Sequence, residues 1–415
     1  MAKIFPFSAY RYSEFAGPLV SLVTQPYDKI SPAMRKTYLA QSPYNLVRII
    51  LGEQREADSA TDNVYTRAAQ HLKGWIESGI LVQDEEPSLF AYFQEFRVPD
   101  TGEYLTRKGF IGLGQVEDYS ANVVYRHEQT LSGPKKDRLE LLRHTRAHLE
   151  QLFMLYPDPQ GEIDRMLDEV SQRMPDAEVA DEYGAEHRIW RISDPARIAK
   201  IQALMSDKKL LIADGHHRYE TALAFRNENP GSDDASKVVM TFVNMHAPGL
   251  KILATHRLIS DLKNFDEADF VRRAESAFRV ERIDSIEKLT KRWADSKSGQ
   301  CIFGIAMPGG SYIFEAKDSK GQLDVPVLHT ALIGGVLGIS EEQVRDGKHL
   351  RYMRGLDSAI EEVNSGTAQI ACLLKPTSIE QVAAISFGGG VMPQKSTDFY
   401  PKLLSGLTIY KLRDS

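Results

Sequence analysis

The sequence has little cysteine and no long hydrophobic run. Only two of its 415 residues are cysteines, Cys301 and Cys372, which is too few for a disulfide framework in a chain of this length. No window approaches the roughly 18–20 consecutive apolar residues that a membrane-spanning helix requires. The first residues also lack the apolar stretch of a signal peptide. We therefore expect a cytoplasmic protein that does not bind a membrane.

The sequence also lacks an excess of positive charge. Its 51 Lys and Arg residues are outnumbered by 57 Asp and Glu residues, and the formal net charge is −6. A dedicated duplex-DNA binder usually has a basic surface, so this balance argues against nucleic acid as a partner. Apolar residues make up 42% and charged residues 26% of the chain, which is typical of a globular protein and excludes a disordered or collagen-like one.

Length and patterning indicate more than one folding unit. At about 100–200 residues per domain, a chain of 415 residues predicts two or three domains. We expect an α/β core over residues 1–250, a smaller α+β insertion over 251–325, and a C-terminal segment over 326–415 that returns to the core. A homo-oligomer and a monomer are both compatible with the sequence.

Several segments have the periodicity of helices or strands. The apolar run 45–51 predicts a buried strand, and two β-rich segments on either side of a turn at 99–102 predict a hairpin. Residues 137–156 have the spacing of one long amphipathic helix. Residues 209–213 predict a strand and residues 219–229 a helix, which together form an α/β unit.

The strongest signal for a functional site is the run Asp214-Gly215-His216-His217-Arg218, between that strand and that helix. Burying polar groups without partners costs on the order of 1–3 kcal/mol each, so the cluster should face a ligand. A helix N-terminus favours phosphate, Arg218 offers a planar fork to phosphate oxygens, and Gly215 permits close backbone approach. Asp214 is suited to a metal ion or a hydroxyl. The alternative interpretation is that Asp214 caps the helix while His217 and Arg218 are solvated.

A second cluster occupies residues 125–138, where a predicted loop leads into a helix. It contains Glu128 and Lys135 among other charged residues, a combination that suits acid–base chemistry beside bound phosphate. Asp28, in a proline-kinked segment, is a weaker signal of the same kind. An ordinary solvated loop explains the pattern at 125–138 equally well.

A third cluster, near the C-terminus, places Lys395, Ser396 and Thr397 after a run of three glycines. This composition favours phosphate binding, but Gln394 stands where a Walker A motif requires glycine, so the segment is not a P-loop. A surface turn followed by an extended tail is the alternative.

Two histidines have the spacing of a metal site. His144 and His148 are four residues apart on the helix predicted over 137–156. Thr145 stands where the zincin motif has glutamate, and neighbouring arginines add positive charge, so a metal ion is disfavoured there.

Six segments resemble, in their order along the chain, the hallmarks of a widespread prokaryotic family known as domain of unknown function 1015. They are Pro26-Tyr27-Asp28, Asn45-Leu46-Val47-Arg48, Arg126-His127-Glu128-Gln129-Thr130, Asp214-Gly215-His216-His217-Arg218-Tyr219, Thr255-His256-Arg257 and Met392-Pro393-Gln394-Lys395-Ser396-Thr397. The run 214–218 is also similar to the Asp-Gly-His-x-Arg phosphate-binding signature of the free-serine kinases, with His217 at the variable position.

This resemblance implies an α/β (α+β) fold with a ParB/sulfiredoxin-like nucleotide-binding core, a mixed sheet and a smaller α+β subdomain. It implies a nucleotide-dependent phosphotransferase that uses Mg²⁺ with ATP or ADP and acts on a small hydroxyl metabolite, with L-serine as the first candidate. Such a reaction depends mainly on positioning and charge neutralisation. One alternative is a metal-dependent phosphatase or hydrolase with His216 and Asp214 as ligands. Another is a non-enzymatic nucleotide-binding regulator of the ParB type.

The residues that we assign to these roles follow from the clusters and the resemblance together. The predicted catalytic residues are Glu128, Asp28 and His216, and the predicted metal ligand is Asp214. The residues predicted to bind phosphate or nucleotide are Asp214, Gly215, His216, His217, Arg218, Lys135, Lys395, Ser396 and Thr397.

Overall fold

A computed structural model describes residues 2–99, 101–128, 132–297, 299–319, 322–393 and 395–413. The chain forms two compact units. The first unit comprises Met1–Val98, Glu103–Lys251 and Pro401–Ser415, and the second comprises Pro99–Gly102 and Ile252–Tyr400. Residues 326–400 therefore belong to the second unit, and the chain returns to the first unit at Pro401.

Strands and helices alternate along much of the chain. The strands are β1 (Ile4–Phe5), β2 (Tyr10–Tyr12), β3 (Leu81–Gln83), β4 (Leu89–Arg97), β5 (Tyr104–Gln115), β6 (Val124–Tyr125), β7 (Ala147–His148), β8 (Leu152–Tyr156), β9 (Ala177–Ala180), β10 (Glu186–Ile192), β11 (Leu210–Asp214), β12 (Lys237–Asn244), β13 (Lys251–Ile252), β14 (His256–Ile259), β15 (Phe278–Ile283), β16 (Ile302–Met307), β17 (Gly310–Ala316), β18 (Leu350–Met353), β19 (Ile370–Leu373), β20 (Phe399–Tyr400) and β21 (Tyr410–Lys411).

The α-helices are α1 (Pro32–Gln41), α2 (Val47–Ile50), α3 (Val64–Glu77), α4 (Ser132–Thr145), α5 (Glu162–Val170), α6 (Pro195–Met205), α7 (His216–Glu228), α8 (Glu267–Ala274), α9 (Ile286–Asp295), α10 (Asp324–Val327), α11 (Glu341–Arg345), α12 (Leu356–Asn364) and α13 (Ile379–Phe387). Short 3₁₀ helices span Glu14–Ala16, Leu19–Ser21, Tyr27–Lys29 and Tyr119–Ala121, and a π-helix spans Leu328–Val336.

The first unit is built on a nine-stranded mixed sheet in the order β6-β11-β8-β12-β5-β4-β10-β9, with β1 paired to β5. The pairs β6–β11 and β8–β12 are parallel, and the other pairs along this order are antiparallel. Every residue of β8 is buried because both faces of the sheet are covered. The large mixed sheet with helices confirms the expected α/β class.

The second unit contains a six-stranded antiparallel sheet in the order β15-β17-β16-β19-β14-β18. One face packs against α8 and the π-helix through buried residues such as Phe270, Phe314 and Leu332. The hairpin β4–β5 lies where the two β-rich segments on either side of residues 99–102 predict it.

Two predictions of local structure are wrong. The run 45–51 forms the short helix α2 rather than a strand, because the Asn45 carboxamide accepts from the Val47 N–H at 3.0 Å and starts a helical turn. Val47, Ile49 and Ile50 are all buried. Because apolar residues stand at consecutive positions in the run, its sequence has no helical periodicity that would identify it as a helix.

The helix predicted over 137–156 ends at Thr145, since Arg146 has a left-handed backbone with φ 46°. The chain then forms β7 and β8. His148 therefore lies on a strand, and the prediction that His144 and His148 share one helix is wrong.

Candidate functional site

The candidate site is centred on the turn between β11 and α7 in the first unit. The pairing of β11 with β8 shifts register between Ile212 and Asp214, and such a bulge changes the direction in which a side chain projects. Gly215 follows with φ +94°, a conformation that favours glycine. A Cβ atom at Gly215 would lie 2.9 Å from Leu152 and 3.1 Å from the Arg218 guanidinium. The turn therefore requires glycine both for its backbone and for space.

Asp214 does not act as the N-cap of α7. Its Oδ1 accepts from the N–H of Gly215 at 3.0 Å, and the N-cap position is Gly215, which has no side chain to offer. No side-chain cap therefore competes with an anion at the start of this helix.

Two cations lie next to the Asp214 carboxylate. The Lys402 ammonium is 3.6 Å and the Arg218 guanidinium 3.9 Å from Oδ2. Burial alone would raise the pKa of Asp214, but the charges of Lys402, Arg218 and Lys29 outweigh it and lower the pKa well below its ordinary value. Asp214 is therefore ionised at neutral pH.

The Arg218 side chain points into the protein. It is 11% exposed, and its guanidinium donates to the carbonyl of Gln151. Burial would lower the pKa of Arg218, but the carboxylates of Glu150 and Asp214 raise it above its usual value. The interpretation of Arg218 as a solvated surface residue is therefore wrong.

Lys402 reaches Asp214 because buried side chains of the first unit hold the backbone around it. Gln94 donates to the Lys402 carbonyl at 2.8 Å, and Arg107 donates to the carbonyl of the preceding residue. Gln151 donates to the Leu404 carbonyl at 3.2 Å. Sequence reasoning did not assign a role to Lys402, since a lysine in a polar C-terminal tail is most often solvated.

His216 is buried and contacts a second histidine. Its ring and that of His127 are perpendicular, with centroids 4.6 Å apart, and the His127 backbone N–H points to His216 Nε2 at 3.5 Å. Burial lowers the pKa of His127 to about 4, and burial together with His127 lowers that of His216. Both imidazoles are therefore neutral at neutral pH. The motif around residue 126 contains His127, but its contact with His216 has no signal in the sequence.

Asp28 lies on the 3₁₀ turn Tyr27–Lys29, where it is exposed and 3.5 Å from Lys29 Nζ. The Tyr27 N–H donates to Glu150 at 2.9 Å, which ties this turn to the surroundings of Arg218. The negative charge of Asp28 is among the influences that raise the Arg218 pKa. The structure thus brings Asp28 to the same side-chain cluster as Asp214.

The remaining predicted residues fall in several places. Lys135 is paired with Glu220 of α7 at 2.7 Å, Glu128 is half-buried, and His217 is half-buried in the first turn of α7. Lys395, Ser396 and Thr397 lie in the second unit. Gln129, Thr130 and Gln394 fall outside the described residues.

No group of three or more His, Cys, Asp or Glu side chains in the described part of the chain is arranged to hold a metal ion. No helix within it combines the length and apolar character needed to cross a bilayer.

With this geometry established, the chain can be compared with known proteins. A family model described as protein of unknown function (DUF1015) matches residues 4–332. The chain belongs to this DUF1015 family. The family assignment carries no reaction with it, and none of the curated proteins matches this DUF1015 member.

Solved structures show weaker similarity to this DUF1015 protein. A free serine kinase in complex with AMP has a TM-score of 0.40 and 13% identity, covering 70% of this chain and 88% of that one. SbnI with C-terminal truncation from Staphylococcus aureus has a TM-score of 0.38 and 9% identity, covering 71% of this chain and 85% of that one. A conserved hypothetical protein from Pyrococcus furiosus has a TM-score of 0.37 and 14% identity, covering 70% of this chain and 92% of that one. Scores this low support no argument about function.

The turn geometry generates a stability prediction for Gly215→Ala. A left-handed backbone costs a non-glycine residue roughly 1–2 kcal/mol, and contact of the new methyl group with Leu152 adds about 1–3 kcal/mol. Gly184→Ala is the matched control, because Gly184 has φ +77° with nothing within 4 Å of a Cβ. Urea unfolding should show a larger loss of unfolding free energy for Gly215→Ala than for Gly184→Ala. Equal losses for the two variants would contradict the predicted contact of the new methyl group with Leu152.

Proposed function

We propose that this protein is a nucleotide-dependent phosphotransferase with a ParB/sulfiredoxin-like nucleotide-binding core, and that it transfers a phosphoryl group to a small hydroxyl metabolite. L-Serine is the first acceptor to test. The observation that carries the proposal is the glycine turn at the start of α7, where no side chain caps the helix and Arg218, Lys402 and Lys29 surround an ionised Asp214.

The start of α7 is suited to nucleotide phosphates. The N–H groups of a helix's first turn and the positive end of its dipole attract anions. Arg218 and Lys402 add positive charge beside Asp214, and hydrogen bonds from charged donors contribute about 1.5–3 kcal/mol each. His216 and His217 belong to the same first turn, where His216 is a neutral hydrogen-bonding group.

Asp214 fits a magnesium ion bound together with phosphate. Mg²⁺ commonly takes one or two carboxylates and completes its coordination with phosphate oxygens and water. The Asp214 carboxylate is ionised, and its Oδ2 lies 3.6 Å or more from either cation, beyond direct hydrogen-bond distance. Asp214 would hold the Mg²⁺, which would supply positive charge to neutralise the phosphates of ATP or ADP.

A carboxylate must orient the attacking hydroxyl, and two candidates are available. Asp28 acts electrostatically on Arg218, and Glu128 follows directly after His127, which contacts His216. Either would accept the hydroxyl proton as a general base. Lys135 lies beside α7, where its charge would help to neutralise bound phosphate.

Nucleotide binding should depend on Arg218. We expect Arg218→Ala to weaken binding of Mg-ADP or Mg-ATP at least tenfold, since the loss of charge-assisted hydrogen bonds removes about 1.5–3 kcal/mol. Arg226→Ala is the control on the same helix, because Arg226 bonds to Val116 and Asp118 away from the turn. Isothermal titration calorimetry measures the nucleotide affinity, and circular dichroism checks that each variant is folded. Unchanged affinity in Arg218→Ala would refute the role of Arg218 in nucleotide binding.

Turnover should distinguish the two carboxylates. With L-serine and Mg-ADP or Mg-ATP, we expect either Asp28→Asn or Glu128→Gln to lower kcat by about 10²–10⁴-fold while nucleotide affinity stays unchanged. The other variant should retain most activity. Phosphorus NMR of the products provides the readout. If neither variant loses turnover, neither Asp28 nor Glu128 is the general base. If the protein binds nucleotide but turns over no substrate, a non-enzymatic regulator is favoured instead.

A further inference from the structure

The second unit contains a buried arginine in an otherwise apolar sheet face. Arg257 lies in β14, is 1% exposed, and is opposite Tyr352 of β18 and Cys372 of β19 in the sheet register. Cys372 belongs to the apolar core that the π-helix covers. The guanidinium centre of Arg257 is 5.4 Å from the centroid of the Tyr352 ring. A charged group is thus placed where the sheet otherwise buries apolar side chains.

The hydrogen bonds of Arg257 leave part of its donor set unused. One terminal nitrogen donates to the Thr255 carbonyl, and the other donates to the Lys395 carbonyl at 3.1 Å. Its Nε is buried and has no hydrogen-bond partner. Among the described residues no carboxylate forms an ion pair with it, although a buried charge without a counter-ion is strongly unfavourable. The guanidinium therefore has both the charge and a free donor for an anion.

His329 provides a second, independent observation. It lies on the π-helix, and its Nε2 is another buried nitrogen without a hydrogen-bond partner. Leu328 and Leu332 of the same π-helix pack in the core that contains Cys372, the register partner of Arg257. Burial and the charge of Arg257 lower the His329 pKa to about 4. π-Helices are rare and occur frequently at functional sites. Two incompletely satisfied nitrogens thus belong to one region of the second unit.

The loop that binds Arg257 is itself held in an unusual conformation. Lys395 has φ +57°, which is uncommon for a residue other than glycine, and its carbonyl accepts from Arg257. The next residue is fixed by hydrogen bonds from Ser396 Oγ to the Pro393 carbonyl at 2.6 Å and from Thr377 to the Ser396 carbonyl at 3.1 Å. Such strained and anchored positions are common at binding sites.

We infer that Arg257, with His329 and the loop at Lys395, forms an oxyanion-binding site in the second unit, for a small molecule that carries a carboxylate or a phosphate group. An oxyanion would accept from the Arg257 Nε–H and neutralise the buried charge. The site does not depend on the turn at Asp214, and Thr255 and Lys395 contribute to it through their carbonyl groups, which accept from Arg257.

The test measures thermal stabilisation by sodium phosphate and sodium acetate, at constant ionic strength against sodium chloride. All proteins carry the full chain with Arg218→Ala, so that phosphate binding at the first-unit turn is weakened, and the Arg257→Met variant measures any shift that this turn still causes. We expect a saturable rise in Tm with at least one anion, because a ligand that binds only the folded state stabilises it. The anion that acts at the lower concentration identifies the ligand group as phosphate or carboxylate.

Two further substitutions locate the effect. Arg257→Met should abolish the rise in Tm, whereas Arg351→Met, at an exposed arginine of the neighbouring strand paired with Glu362, should retain it. His329→Gln should raise the half-saturating anion concentration at least threefold, and it decides the question if Arg257→Met does not fold. Absence of any saturable shift, a full shift in Arg257→Met, or an unchanged half-saturation in His329→Gln would overturn the inference.

Discussion

The arrangement of the first unit depends on one electrostatic interaction, the contact of the ionised Asp214 carboxylate with Lys402 and Arg218. Burial by itself would raise the pKa of this carboxyl group, and the neighbouring positive charges lower it. Because its pKa is lower in the folded protein than the value near 3.9 of an unfolded chain, ionisation of Asp214 stabilises the fold at neutral pH. This contribution is present above the unfolded pKa and is lost as the pH falls through the folded pKa. The same ionised state is the one that a magnesium ion would require.

This interaction joins parts of the chain that are distant in sequence. Asp214 ends β11, Arg218 lies one helical turn later, and Lys402 belongs to the segment that returns to the first unit at Pro401. The returning segment is held by Gln94 and Arg107, which are themselves hydrogen-bonded to each other at 2.9 Å. The C-terminal residues are therefore a structural component of the candidate site, and the strands β4 and β5 position it indirectly.

The sequence was most informative where local chemistry decides the structure. The apolar strand, the turn glycine and the helix at 210–228 were all predicted, because each depends on residues close together in the chain. The helix α2 and the strand β8 were missed, since continuously apolar runs carry no periodicity that separates helix from strand. Lys402, Glu150 and the partnership of His127 with His216 were missed because tertiary contacts alone create them.

Titration of the Asp214 carboxyl carbon by ¹³C NMR shows whether Lys402 and Arg218 keep this partly buried group ionised. Aspartate-labelled protein, with Asp214→Asn to assign the resonance, is followed from pH 7 to pH 4 beside Lys402→Met. We expect no titration of Asp214 over this range in the unmodified protein and a higher midpoint in Lys402→Met. A midpoint near 4, the ordinary value for aspartate, in both proteins would contradict it.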